Sequence, residues 1–208
     1  NDCDQEGTIT CLGFSGEQDG RAYTICVTKQ GGQVLYYMCD ATGGISAIPT
    51  DERCEELTAI AKQYCADKGF GETAASYAQY YNGMALINLA PMQDGAILYP
   101  DLIKVWVDIS SNTVVGLDVY NYLMSHKQRD LPQATVTEQQ AKDEVTARME
   151  VESCRLALIP LETNEEKLCW ELQGTVNGND YLIYINVETG AEEDILMIQH
   201  VNDGTLVM

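Results

Sequence analysis

Two stretches of this chain alternate apolar and polar residues with a period of two. Tyr181-Leu-Ile-Tyr-Ile-Asn-Val-Glu-Thr-Gly190 sets Tyr181, Ile183, Ile185 and Val187 on one face of a strand. Ile103-Lys-Val-Trp-Val-Asp-Ile-Ser-Ser-Asn112 does the same with Ile103, Val105, Val107 and Ile109. Each run breaks at a residue that tolerates positive φ, Gly190 or Asn112, as a tight hairpin requires. A third, looser copy reads Val34-Leu-Tyr-Tyr-Met-Cys-Asp-Ala-Thr-Gly43. In that alignment Tyr37, Trp106 and Tyr184 share one position, opposite the aliphatic face. Three aromatics at one repeat position point to duplicated modules.

Helical patterns precede two of the copies. Thr137-Glu-Gln-Gln140 forms a capping box, and Ala141, Val145 and Met149 follow at four-residue steps. The other helix starts near Thr50-Asp51, where Asp51, Glu52, Glu55 and Glu56 favour the positive helix end. Its apolar stripe is Cys54, Leu57, Ala61, Tyr64 and Cys65, and Gly69 stops it. Between helix and repeat hairpin, strands are predicted over Thr73–Tyr81 and Met84–Ala90, joined at Asn82-Gly83. The corresponding pair later in the chain is Glu152–Pro160 and Leu168–Thr175, with the polar turn Thr163-Asn-Glu-Glu166 between them. Near the start, Thr8–Phe14 and Ala22–Lys29 precede Gly31-Gly32. The expected fold is therefore α+β, in tandem modules over residues 1–48, 49–131 and 132–208. Each module is one helix packed on a four-stranded antiparallel sheet, and the first lacks its helix. The polar segment from His126 to Gln133 is the expected boundary between the last two.

Charge narrows the function classes. The 208 residues carry 12 Lys+Arg against 32 Asp+Glu, a formal net charge of -20. Such a chain has no electrostatic footprint for phosphate backbones or anionic lipid, so neither nucleic acid nor a membrane surface is an expected partner. No apolar run is long enough to span a bilayer. The start at Asn1, with no signal-peptide pattern, leads us to expect a fragment of a longer protein. The last third holds fifteen acids and four bases, and no Lys or Arg follows Trp170. This is either a solvated acidic face or a surface for a basic partner or divalent cations. The eight cysteines form no Cys-x-x-Cys pair, which removes the thioredoxin-like and common zinc spacings. Cys54 and Cys65 share a helix face with Leu57 and Ala61, as small buried thiols do.

A search for catalysis finds little. The two histidines, His126 and His200, stand in no nucleophile motif, and His126 reads as a polar linker residue. Close carboxylate pairs are inevitable among 32 acids and do not by themselves identify a general acid. Asp2-x-Asp4-x-Glu6-Gly7 begins like a calcium loop, but Gly13 stands where the bidentate glutamate belongs. No catalytic residue, metal ligand or cofactor is expected. The most distinctive local feature is Tyr99-Pro100-Asp101, read either as a structural corner or as a contact surface. With Trp106 and Tyr184 on the face away from the helices, these five are the candidate partner-binding residues.

Thr137–Gln140 with Ala141, then Tyr184-Ile-Asn-Val-Glu-Thr-Gly-Ala-Glu192, resembles the PepSY domain. A longer ordered set resembles the C-terminal region of the YpeB family of spore-germination proteins. It includes Gly83-Met-Ala-Leu-Ile-Asn88, Tyr99-Pro-Asp-Leu-Ile-Lys-Val105, Tyr122-Leu-Met-Ser-His126, Arg129-Asp-Leu-Pro132 and Arg155-Leu-Ala-Leu-Ile-Pro160. The resemblance covers nearly all of the chain and is strongest from about Gly83; Asn112 in place of a turn glycine and the high cysteine content depart from it. It implies a non-catalytic region of a protein anchored through an N-terminal segment on the outer, extracytoplasmic side of the inner spore membrane. It also implies a partner, a SleB-type cortex-lytic enzyme that the region stabilises, localises or inhibits in the dormant spore. The alternatives are a peptidase-inhibitor-like PepSY module and a purely structural spacer between membrane and cortex.

Overall fold

The computed structural model describes residues 2–4, 9–41, 49–163, 165–201 and 204–207. In chain order the first elements are β1 (Asp2–Asp4), β2 (Thr10–Gln18), β3 (Arg21–Thr28) and β4 (Val34–Cys39). Next come α1 (Asp51–Asp67), β5 (Thr73–Tyr81), β6 (Met84–Gln93) and β7 (Ala96–Leu98). A 3-10 turn over Tyr99–Asp101 leads to β8 (Ile103–Asp108), β9 (Val114–Asp118) and α2 (Tyr120–Ser125). The remainder is α3 (Glu138–Thr146), β10 (Glu150–Pro160), β11 (Glu166–Val176), β12 (Asn179–Asn186), β13 (Glu192–Val201) and β14 (Gly204–Val207). The result is an α+β chain, mostly sheet with few helices.

These elements gather into two compact units. One takes the chain up to Pro91 together with Asp101–His126; the other takes Met92–Pro100 and Lys127–Val201. In the first, neighbouring strands run β1-β2-β3-β4-β9-β8-β6-β5, and the pairings from β1 to β5 are antiparallel. The helix α1 lies over this sheet because Leu57, Ala61 and Cys65 come round once per turn and are fully buried against Ile87, Val105 and Val107. Thr50 caps the helix by accepting from the Arg53 amide, and Gly69, at φ 85, ends it in the left-handed region.

The second unit orders its strands β7-β10-β11-β12-β13, with β7 parallel to β10 and the rest antiparallel. The capping box forms as the sequence predicts: Thr137 accepts from the Gln140 amide and the Gln140 side chain accepts from the Thr137 amide. Ala141, Val145 and Met149 then pack on Leu172, Ile183 and Ile185. Burying an aliphatic side chain of this kind contributes about 1.5–3 kcal/mol, which outweighs the cap's contribution of about 1 kcal/mol. Four of the described elements, β1, β7, α2 and β14, have no counterpart in the sequence reading. The three-residue strand β7 is fully buried between β10 and the end of β6, and α2 presents no buried residue.

Among the described residues one hairpin recurs three times; one copy lies at Thr28–Gln33, whereas the break read from sequence at Gly43 lies outside the described residues. The amide of Asp108 donates to Thr113 O, that of Asn186 to Ala191 O, and that of Thr28 to Gln33 O, each at 2.8 Å. A bulge follows in every case, between Trp106 and Val107, between Tyr184 and Ile185, and between Cys26 and Val27. The polar residue at the turn holds the loop in each: Asp108 Oδ1 accepts from Ser110 and Ser111, and Asn186 Oδ1 from Glu188 and Thr189. Thr28 Oγ1 accepts from the Gln33 amide. The partner of Trp106 and Tyr184 is therefore Cys26, and the copy begins at Tyr23.

The placement of Tyr37 beside Trp106 and Tyr184 is corrected accordingly. The bulge puts Val34 opposite Val27 but Tyr36 opposite Cys26, so the strict alternation that starts at Val34 changes face there. Tyr37 pairs with Leu117 and packs on the α1 side, while Tyr36 and Met38 join Trp106 on the other.

Candidate functional site

The polar chemistry of the second unit converges on Glu171, a β11 residue that is 1% exposed. The alternation of β11 turns Leu172 towards α3, which sends Glu171 to the opposite face, beside Tyr184 on β12 and Arg155 on β10. Arg155 Nε donates to Glu171 Oε1 at 2.6 Å and Nη2 donates to the Tyr99 hydroxyl at 3.2 Å. The Tyr184 hydroxyl donates to Glu171 Oε2 at 2.9 Å. Burial and then the Glu171 carboxylate raise the ionisation of both tyrosines, which stay neutral donors or acceptors. Burial works against the Arg155 charge, but Glu171 and Tyr99 more than offset it. The result is a paired charge within a sheet face, with each carboxylate oxygen accepting a hydrogen bond.

In the first unit, Trp106 is nearly buried among Leu86, Val115, Tyr36 and Met38, and its indole donates to the Tyr81 hydroxyl at 2.7 Å. Asp101 is fully buried at the end of the 3-10 turn. His126 Nδ1 lies 2.7 Å from its Oδ2, and the imidazole stacks on Tyr122 at 4.2 Å. His126 is thus a packed partner of a buried acid, not a linker residue. The neighbourhood of Asp101 in sequence carries no signal for this pairing, since 25 residues separate the two.

An apolar cleft of about 500 Å³ opens between the end of α1, β4, β9 and α2. Tyr37, Phe70, Leu117, Tyr122 and Leu123 line it, with Lys68 at its rim. Tyr37 donates to the Tyr64 hydroxyl at 3.2 Å, and burial followed by this bond pushes the Tyr37 ionisation far up. In the second unit Arg129 makes a two-pronged bond to Glu166, at 2.9 and 2.7 Å, and its amide is held by Gln93. Glu166 is pulled below the ordinary carboxylate range, first by that hydrogen bond and then by the nearby charge.

The five residues read from sequence thus fall into two groups. Tyr99 and Tyr184 meet through Arg155 and Glu171; Asp101 and Trp106 belong to the other unit and take separate partners, and Pro100 sits half-buried in the 3-10 turn between Tyr99 and Asp101. Arg155 and Glu171 are not among the five; the alternation that turns Leu172 to α3 puts Glu171 on the other face, and the β11–β12 register sets it beside Tyr184. Among the described residues, no group of three or more His, Cys, Asp or Glu is placed to hold a metal ion. The calcium-like stretch from Asp2 to Gly7 lies outside the residues whose side chains are described. Cys39, Cys54, Cys65, Cys154 and Cys169 are free thiols, and burial pushes Cys65 and Cys169 up to about 12.

A mostly-sheet α+β chain whose buried acids are held by internal donors has a fold already seen in a solved structure. Bacillus megaterium YpeB C-terminal domain superposes on 96% of this chain and 88% of its own, with a TM-score of 0.78 at 24% identity. The family described as YpeB sporulation, PepSY1 and PepSY2 domains matches residues 7–132, and the chain belongs to that family. Sporulation protein YpeB of Halalkalibacterium halodurans is 29% identical over 177 residues, 85% of this chain and 39% of the relative. Its Bacillus subtilis counterpart is 28% identical over 171 residues, 81% of this chain and 37% of the relative. The chain therefore spans less than two fifths of the curated relatives it matches. Those relatives are named as sporulation proteins, not as enzymes. Among the described residues no helix is long and apolar enough to cross a membrane.

Proposed function

We propose that this chain is the non-catalytic binding region of a spore-germination protein, on the outer side of the inner spore membrane. Its partner in this reading is a SleB-type cortex-lytic enzyme, which it stabilises, localises or inhibits through dormancy. The observation that carries the reading is how the buried acids are used. Glu171 is consumed by Arg155 and Tyr184, Asp101 pairs with His126, and Asp108 closes its own turn. Groups arranged in this way rigidify sheet faces, where a general acid would need an open, substrate-sized site instead. The burial of Tyr184, Trp106 and Asp101, with Tyr99 and Pro100 half-buried, gives the five candidate residues a supporting part: they set the shape and rigidity of the surface offered to the partner. The net charge of -20 favours approach to a basic cell-wall protein.

The module division 1–48, 49–131 and 132–208 belongs to the same proposal. It is supported by the three equivalent hairpins at Thr28, Asp108 and Asn186. The test is to mix this chain with the purified lytic enzyme and follow complex formation and muropeptide release from cortex. A complex with an altered release rate or an extended enzyme lifetime is expected. Absence of a complex together with unchanged rate and lifetime would remove the reading, and turnover by this chain alone would replace it with catalysis.

A further inference from the structure

The strand registers of the described residues set two cysteines opposite each other at one place. In the antiparallel pair of β1 and β2, Cys3 stands opposite Cys11, flanked by Asp2 with Leu12 and Asp4 with Thr10. Directly opposed residues in such a pair share a sheet face, and their Cα atoms lie about 4.5 or 5.5 Å apart, depending on the kind of pair. A disulfide spans Cα separations of about 4.4–6.8 Å, so either kind admits the bond without moving the backbone. The other registers give no such match. Cys11 is opposite Thr28 and Cys26 opposite Gly13, so these two are diagonal neighbours about 7–8 Å apart, past that span. Cys39 is opposite Tyr23, three positions from Cys26, and Cys154 is opposite Leu172, three positions from Cys169. Cys54 and Cys65 are separated by about 16 Å of rise along α1. The sequence favours the same pair: seven residues separate Cys3 from Cys11, the shortest spacing between cysteines in the chain, so this loop costs least to close.

We propose that Cys3 and Cys11 are a disulfide site that fastens β1 to β2. The strand β1 has three residues and stands at one end of the described strand order, with β2 as its neighbour there. A covalent link holds this short strand over the β2 edge, which would otherwise be open to pairing with another chain. Cys11 is 1% exposed, so the bond forms when β1 opens from β2 and is sheltered from reductant once β1 closes. The oxidant is a small disulfide such as oxidised glutathione. The Cys3 thiolate attacks one of its sulfurs and expels a first thiolate; the Cys11 thiolate then attacks the Cys3 sulfur and expels the second. One protein S–S bond forms, the S–S bond of the oxidant is reduced, and the two protein thiol protons pass to solvent or to the departing thiolates. Such oxidants persist outside the cytoplasm. Formation of the bond in the spore therefore rests on the proposed location, whereas the capacity to form it rests on register.

The test holds residues 1–208 in native buffer with oxidised glutathione, then blocks remaining thiols with iodoacetamide in denaturant and digests with trypsin. No Lys or Arg precedes Arg21, so both cysteines leave in the peptide 1–21. That peptide is expected unlabelled and about 2 Da below its reduced mass, with its two pieces still joined after cleavage at Glu6. Amides of β2 are expected to exchange at least about tenfold more slowly in the oxidised than in the reduced chain, and Cys3→Ser should erase that difference. Iodoacetamide or glutathione found on either cysteine, or Cys11 joined to Cys26 or to a second chain, would overturn the assignment. Equal exchange in the two forms would overturn the fastening of β1. Because the oxidant is supplied, failure here counts against the pair and leaves the spore location and the lytic-enzyme reading untouched.

Discussion

Arg155→Met is the sharpest probe of the Glu171 cluster. Methionine keeps much of the apolar stem and removes the guanidinium, so Glu171 loses the donor at 2.6 Å and retains Tyr184 at 2.9 Å. Breaking a buried ion pair by removing one partner costs about 3–5 kcal/mol, because the remaining charge is left uncompensated. The Arg155 side chain is 38% exposed, so water reaches part of the vacated space and lowers the expected loss to about 2–3 kcal/mol. Adding Glu171→Gln to the Arg155→Met chain removes the stranded charge while keeping an acceptor for Tyr184. That double variant should regain at least about 1 kcal/mol, a coupling typical of residues in one network. Urea denaturation at pH 7 measures both. With Trp106→Phe in every chain, Trp170 of the second unit is the remaining tryptophan and reports the unit that holds the cluster. A loss below about 0.5 kcal/mol, the range of ordinary surface substitutions, would show that the pair is not what holds this face. Failure of Glu171→Gln to recover stability would equally refute the stranded-charge account.

Three further outcomes follow from the geometry. Gly174→Ala should cost more than about 2 kcal/mol in thermal or urea unfolding, because its Cβ would stand 2.1 Å from the Glu150 carbonyl oxygen across the β10–β11 pair; a neutral substitution would mean that the backbone there yields easily. The bond from Arg129 holds the Glu166 carboxyl below its ordinary 4.5, so its contribution is fully present above that pH and is lost as pH falls through the lowered folded value. Arg129→Gln should accordingly lower the urea midpoint more at pH 7 than at pH 3, and equal losses at both would exclude the linkage. Cys65 and Cys169, fully buried with ionisation pushed up to about 12, should react with iodoacetamide only as fast as their units open, and reaction in native buffer at the rate of a small free thiol would contradict their burial.

Local sequence determined the elements themselves. The stripe Leu57-Ala61-Cys65, the capping box at Thr137 and the alternation through Ile183 and Ile185 each carry their periodicity within a few residues, so a helix or strand and its apolar face are legible there. The alternation of β11 likewise puts Glu171 on the face opposite Leu172. Tertiary structure decided the rest. A single bulged residue on β4 turned Tyr37 to the α1 side, because one extra residue reverses every side chain beyond it and leaves no compositional trace. The partner of Asp101 is 25 residues away at His126, and the partners of Glu171 lie on two other strands, so both pairs exist only once strand register is set. Register depends on which apolar faces are covered, and that is a property of the packed sheet, not of any one segment.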